Sequence, residues 1–378
     1  PIPDRERGIV HHLPGSHPTQ GHRAAIGQGK MKKDLLALAF LSLAGCNCCG
    51  GASNDSSQPA TEPRPVDAAG PSYEVHEWGL VRGTRDDRVM LSGPHASPPA
   101  MPVAKPVLYF HRDGEGPLTV QVSVSVPNGR IVEHWPPAAQ GERSITWSGV
   151  RVEAGSCRAS RYPTLAEAPC TAVLDGCEAS TLAQVETEDD DCLRTADGSA
   201  WNNLFYRAEV VGTPALPLAL ETLPDGRLRV TNRGTTAIPG RILRLRHVGF
   251  TGSDAALVVA PPAPGASVEL DTPSGSVRVA AEALLDSLRG AGLTEPEARA
   301  FRRAWDDTLF GAGPLATIQA ESPATAMPMA AFDPQPRTSI VYVLAPAVAD
   351  TLAVLRFDPP PRAIRRVIVA WIDEARAP

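Results

Sequence analysis

The chain has 378 residues, with 36 Lys plus Arg against 42 Asp plus Glu, a formal net charge of −6, and 43% hydrophobic residues. That balance excludes the basic surface that nucleic acid or an anionic bilayer would recruit. The length leaves room for two ordinary domains.

Residues 1–30 precede Met31 and carry His11, His12, His17 and His22 without periodicity. They read as an upstream or non-native extension, and their histidines are set aside from any metal argument. From Met31, Lys32 and Lys33 open an apolar run over 35–43, far shorter than the ~20 residues that a membrane span needs. Leu43-Ala44-Gly45-Cys46 closes it with small residues. This order of charge, apolar run and small residues reads as a lipoprotein signal over 31–45. Cys46 is the predicted lipidation site, because its thiol supplies the thioether to diacylglycerol. A short buried helix with a chance cysteine is the alternative. Asn47 follows, not the aspartate associated with inner-membrane retention, so the expected anchor is the outer membrane.

Residues 46–72 read as the lipidated cysteine and a disordered tether, since from Gly50 to Pro71 the composition is Ser, Pro, Ala, Thr and Asp with almost no large apolar side chain. From Cys46 onward, 30 basic residues face 39 acidic ones, and Lys105 is the sole lysine.

Over 73–276 the pattern has period two. Val120, Val122, Val124 and Val126 alternate with Thr119, Gln121, Ser123 and Ser125, so one face of this strand is buried. Pro127-Asn128-Gly129 is a turn signal, and 131–135 is the expected hairpin partner. Further strands are predicted at 107–111, 144–152, 206–211, 216–220, 228–232, 242–248 and 256–260. Many short strands with Pro and Gly between them predict a β-sandwich.

Within this region Cys157, Cys170, Cys177 and Cys192 fall in one irregular, acidic stretch. In an oxidising compartment they predict two disulfides stapling a loop over 157–192, with three pairings open. A four-cysteine zinc site is the weaker alternative, since no two of these four cysteines form a CxxC pair.

After residue 277 the period changes. Helices are expected over 280–288 and 295–309, the second opened by Thr294 with Glu297 three residues on, a capping box. Ala298, Phe301, Ala304 or Trp305, and Leu309 form its apolar stripe. A Gly/Pro/Ala/Met-rich connection over 311–336 leads to strands at 339–344, 352–357 and 363–372. The fold class is therefore mainly β: a sandwich over 73–276 followed by a smaller α+β C-terminal part over 277–378, which packs on the sandwich.

Val75-His76-Glu77-Trp78-Gly79 resembles the His-Glu-Trp-Gly motif of an uncharacterised family of exported bacterial proteins. Lys105-Pro106-Val107-Leu108-Tyr109-Phe110, Glu133-His134-Trp135-Pro136, Leu204-Phe205-Tyr206-Arg207, Leu293-Thr294-Glu295-Pro296-Glu297-Ala298 and Ser339-Ile340-Val341-Tyr342-Val343 are similar to that family too. Leu80-Val81 stands where the family usually has Thr-Phe. The resemblance implies an architecture and an export route. It implies no reaction.

No GxSxG elbow, Walker loop or GxGxxG after a strand occurs, and His76-Glu77 lacks the second histidine of HExxH. The polar residues embedded in strands are the remaining candidates. His76, His111 and His134, with Glu77 or Glu133 as ligand or base, could bind zinc, copper or iron. Neighbours on a strand face opposite ways, so His76 and Glu77 share a pocket only through a bulge. The alternative is that these side chains are satisfied within the sandwich while the tryptophans fill its core. Asp113-Gly114-Glu115-Gly116 and the run 186–191 are possible calcium loops or solvated loops. Trp135, Trp147, Trp201 and Tyr206 could line a sugar or peptide groove.

Two classes of function remain. One is an outer-membrane lipoprotein with a non-catalytic binding or assembly role, its partners being the membrane through Cys46 and an envelope protein or small ligand, with no nucleic acid. The other is a metal-dependent hydrolase or oxidoreductase using the strand histidines.

Overall fold

The computed structural model describes residues 72–84, 100–157, 160–164, 179–211, 216–247, 253–310 and 337–374. The signal segment, Cys46, the tether up to residue 71, Cys170, Cys177 and the connection 311–336 lie outside the described residues.

Six strands lead the chain: β1 (Ser72–Thr84), β2 (Ala100–Asp113), β3 (Leu118–Ser125), β4 (Gly129–Trp135), β5 (Ala139–Gln140) and β6 (Ser144–Glu153). A 3-10 turn at Ala179–Val185 precedes β7 (Cys192–Arg194), β8 (Ala200–Trp201) and β9 (Leu204–Val211). Then come β10 (Leu218–Thr222), β11 (Leu228–Asn232), β12 (Ile242–His247), β13 (Ser253–Val259) and β14 (Ser267–Leu270). Helices α1 (Val277–Gly290) and α2 (Glu295–Phe310) lead into β15 (Arg337–Val343), helix α3 (Pro346–Leu352), β16 (Val354–Asp358) and β17 (Ala363–Asp373).

These strands form an eight-stranded sheet in the order β13-β12-β15-β17-β1-β2-β9-β4, a sheet β16-β3-β6-β7-β8, and a small sheet β10-β11-β14. Strand alternation gives the large sheet two buried faces. On one, Tyr73, Val75, Leu108, Phe110, Tyr206, Tyr342 and Ile368 pack against Val120, Val122, Val124 and Trp147 of the second sheet and Leu228 and Val230 of the third. That is the sandwich, and the valine face predicted for β3 is the buried one. On the other, Trp78, Leu80, Tyr109, Phe205, Val341, Val343 and Val369 meet Leu284 and Leu288 of α1 and Phe301, Trp305 and Leu309 of α2. The molecule is thus a sandwich with a helical layer outside its larger sheet, mainly β with an α+β C-terminal part. No helix of the described residues is long and apolar enough to cross a membrane.

Three features depart from the periodicity reading. The turn at 127–129 joins no hairpin: β3 pairs with β6 and β16, while β4 pairs with β9 in the other sheet. Turn residues fix a chain reversal, but the buried faces on either side decide which strand is the partner. Helix α3 occupies 346–352, where Pro346 is placed at a helix start. Last, β17 lies parallel to β1, and β15 pairs with both β17 and β12. The C-terminal strands complete the sandwich's own sheets.

The pairing of β1 with β2 shifts register between Trp78 and Leu80, opposite Pro106. Proline has no N–H for the ladder, so it sits at such an irregularity. A Cβ on Gly79 would stand 3.2 Å from Pro106 Cα and 3.3 Å from its Cγ. Gly79 is the residue that lets the proline close in.

Candidate metal centre

On β1, Glu74, His76, Trp78 and Leu80 share the face turned toward the helices, and on β2 so do Tyr109 and His111. The register places Glu74 opposite His111 and His76 opposite Tyr109, making the two histidines diagonal neighbours. Their ring centroids are 4.3 Å apart. Helix α2 supplies the third group. Thr294 Oγ1 accepts the Glu297 N–H at 3.3 Å, and Glu297 Oε2 accepts the Thr294 N–H at 2.8 Å, the predicted capping box. The same carboxylate reaches past the helix end to both histidines. His76 Nδ1 is 2.9 Å from each of its oxygens, and His111 Nε2 is 2.8 Å from Oε1. One donor atom from each of His76, His111 and Glu297 falls within 4.8 Å of the others.

The far nitrogens also face oxygens, one at hydrogen-bond distance and one farther off. His111 Nδ1 lies 3.0 Å from the Asp189 carbonyl oxygen. A carbonyl only accepts, so Nδ1 carries the hydrogen. Nε2 then has two possible states. It donates to Glu297 as part of an imidazolium, or it offers a lone pair to a cation shared with Glu297. On the other ring, His76 Nε2 is 3.7 Å from Glu74 Oε2, and Glu74 is itself tied to Arg362.

The charges agree with this geometry. Burial disfavours the Glu297 carboxylate, yet hydrogen bonds from His111 and His76 outweigh it and bring its pKa down to about 2. Burial likewise opposes charge on His111, and Glu297 outweighs it, so its pKa is raised. Glu74 is lowered, chiefly by its bond to Arg362.

The other three candidates lie elsewhere. Glu77 faces the sandwich interior, where Oε1 accepts from Tyr206 Oη at 2.7 Å and Oε2 from Arg366 Nε at 2.5 Å. His134 rests on the Trp147 ring with centroids 6.4 Å apart, and burial lowers its pKa. It shares no donor set with His76. Glu133 accepts the Ala179 N–H at 2.8 Å and pairs with Arg207, which makes it a structural anchor.

The acidic loops are turned to internal use. In Asp113-Gly114-Glu115-Gly116, Arg112 donates to the Gly114 and Gly116 carbonyls, and Arg362 pairs with Asp113. In the run 186–191 the Thr187, Glu188 and Asp190 carbonyls face Ser156 Oγ, the Asp189 carbonyl faces His111, and the Glu186 carbonyl accepts from Arg303. Cys157 and Cys192 form a disulfide, one of the three open pairings' choices for Cys157. Of the four aromatics, Trp135, Trp147 and Trp201 line a cleft of about 620 Å³ with Arg161, Arg194 and Asp197. Tyr206 is in the core instead.

Periodicity missed two groups. Glu297 was visible as a capping residue but gave no sign of its histidine partners. His247 lies between Ser339 Oγ at 2.6 Å and Ser253 Oγ at 3.1 Å, and Ser339 is fully buried, so no substrate reaches this serine–histidine contact. No protein-family model matches the chain, and no curated protein matches it.

Proposed function

We propose that the protein is an exported lipoprotein, anchored in the outer membrane through Cys46, whose folded part binds a divalent transition-metal ion at His76, His111 and Glu297. The observation that carries the metal reading is the convergence of two rings on one buried carboxylate, with an oxygen behind each ring. The near nitrogen of each histidine lies 2.8–2.9 Å from Glu297, while the Asp189 carbonyl accepts from the far nitrogen of His111 at 3.0 Å and the Glu74 carboxylate faces that of His76 at 3.7 Å. Metal-ligating histidines are held in this way, because the outer acceptor fixes the ring and raises ligand basicity.

Two imidazoles and a carboxylate suit zinc first, then iron or copper. Ligands about 2.0–2.1 Å from a tetrahedral ion stand roughly 3.3 Å apart. Entry of zinc therefore opens the present 2.8–2.9 Å contacts by about half an ångström and replaces the protons that hold them. The role is binding and not catalysis. Side-chain exposure is 9% for His76, 21% for His111 and 0% for Glu297, so a substrate would have little more than the edge of His111 to approach. The ion would lock the start of α2 onto β1 and β2.

The test is metal content of the chain expressed from Met31, which omits the four upstream histidines, purified from membranes without chelator or affinity tag. About one zinc, iron or copper ion per chain is expected by elemental mass spectrometry. His76→Ala and Glu297→Gln should lose it, and His134→Ala should keep it. A folded wild-type chain that takes up no stoichiometric metal from added zinc ends the reading.

A further inference from the structure

The acceptors behind the two histidines are built differently. Glu74 stands on the same strand as His76. Asp189 is in the irregular run between the 3-10 turn and β7, and it serves His111 through its backbone carbonyl, so its position depends on whatever fixes that run.

Four attachments fix it, the first being Arg303 of α2, whose Nη2 donates to the Glu186 carbonyl at 3.0 Å. Ser156 Oγ lies 3.3, 3.0 and 3.2 Å from the carbonyl oxygens of Thr187, Glu188 and Asp190, and 3.0 Å from Asp190 Oδ1. Asp191 accepts N–H groups from Gly155 and Arg112 and donates its own to the Phe110 carbonyl. Cys192 is bonded covalently to Cys157, the neighbour of Ser156. The disulfide thus ties the segment that follows β6 to the chain three residues beyond the carbonyl that orients His111.

We propose that the Cys157–Cys192 disulfide controls the zinc affinity of the His76–His111–Glu297 centre, so that its reduction releases the Asp189 carbonyl from His111 and weakens zinc binding. The inference rests on the metal reading and adds a redox control to that site. Cys157 is half-buried and Cys192 buried, so an envelope dithiol attacks the Cys157 sulfur. A mixed disulfide forms there and Cys192 leaves as a thiolate. The second thiol of the reductant then displaces Cys157. Two electrons and two protons pass to the protein, which ends with two thiols, and the dithiol ends as a disulfide. Loss of an outer partner of a metal-ligating histidine weakens binding by about 10- to 100-fold, and that is the expected size of the change.

Zinc affinity is measured on the intact chain by competition with a chromogenic chelator, with near-ultraviolet circular dichroism to confirm folding. Cys157→Ser/Cys192→Ser, without reductant, isolates this bond from the other cysteines and should bind zinc about 10- to 100-fold more weakly than the oxidised wild type. Ser156→Ala keeps the bond and loosens the same run, so a smaller loss is expected. Treating the wild type with a phosphine, which takes an oxygen atom from water as it delivers the two electrons, should weaken binding to the same extent, and reoxidation should restore it. Should the double variant not fold, Ser156→Ala and the reversible reduction decide the matter. Oxidised wild type that binds no zinc overturns the metal reading itself. Zinc bound equally well, or more tightly, without the disulfide overturns this inference and leaves the metal reading standing.

Discussion

Each residue of Val75-His76-Glu77-Trp78-Gly79 has its own physical task. Val75 and Glu77 point into the sandwich, while His76 and Trp78 point toward the helices. Strand alternation made that division legible, since adjacent residues cannot share a face without a bulge. The partners were not legible. Glu297 meets His76 from 221 residues away, and Arg366 meets Glu77 from 289. Nothing in local periodicity encodes such a contact. The Glu77 group is the more extensively bonded of the two, because Arg366 also donates to Asp350 and to the Ala353 carbonyl. Removing one member of a buried ion pair strands the other charge, at about 3–5 kcal/mol. Glu77→Ala should therefore cost several kcal/mol in denaturant unfolding, with loss of the Tyr206 acceptor included. A change near the ordinary surface value, below about 1 kcal/mol, would mean that Arg366 finds another partner.

At the scale of elements, the helices were the most readable part. Capping box, apolar stripe and ends of α2 all came from local sequence, and Trp305 fills the position left open beside Ala304. The connection between β3 and β4 was misread, because Pro127-Asn128-Gly129 sets a reversal without saying that the chain changes sheets. The contact of β1 with β2 at Gly79 and Pro106 is the element-level feature with a consequence for the metal centre. A methyl group on Gly79 meets the proline at 3.2–3.3 Å, tighter than ordinary contact, so one strand must give. Overpacking of this kind costs about 1–3 kcal/mol. His76 and His111 sit on these same two strands. Gly79→Ala should lower stability by that amount and weaken zinc uptake as well, read by unfolding and by chelator competition. Stability lost with zinc affinity intact would show that the strain relaxes toward Pro106 and away from the histidines.

For the whole molecule, composition and strand pattern were enough for the class of fold, and the change of period near residue 277 marked where helices begin. That change of period does not mark an independent unit. In the large sheet β15 and β17 separate β12 from β1, and β16 is the edge partner of β3 in the facing sheet. Ala363 to Asp373 pairs with Glu74 to Thr84 along eleven register positions, so the first described strand waits for the last. A parallel pair is formed only by chain that crosses over, and contacts of such long sequence separation are slow to form. A chain ended after residue 336 would leave β12-β13 and β1-β2-β9-β4 as two fragments of one sheet, each with an open edge and an apolar face. It would keep every donor of the metal centre, His76, His111 and Glu297, in its sequence. The expected outcome is a chain without a cooperative unfolding transition and without stoichiometric zinc, measured by circular dichroism melting and elemental mass spectrometry. A truncated chain that melts cooperatively and still binds zinc would show that the helical layer and β1-β2 form the centre without the closing strands.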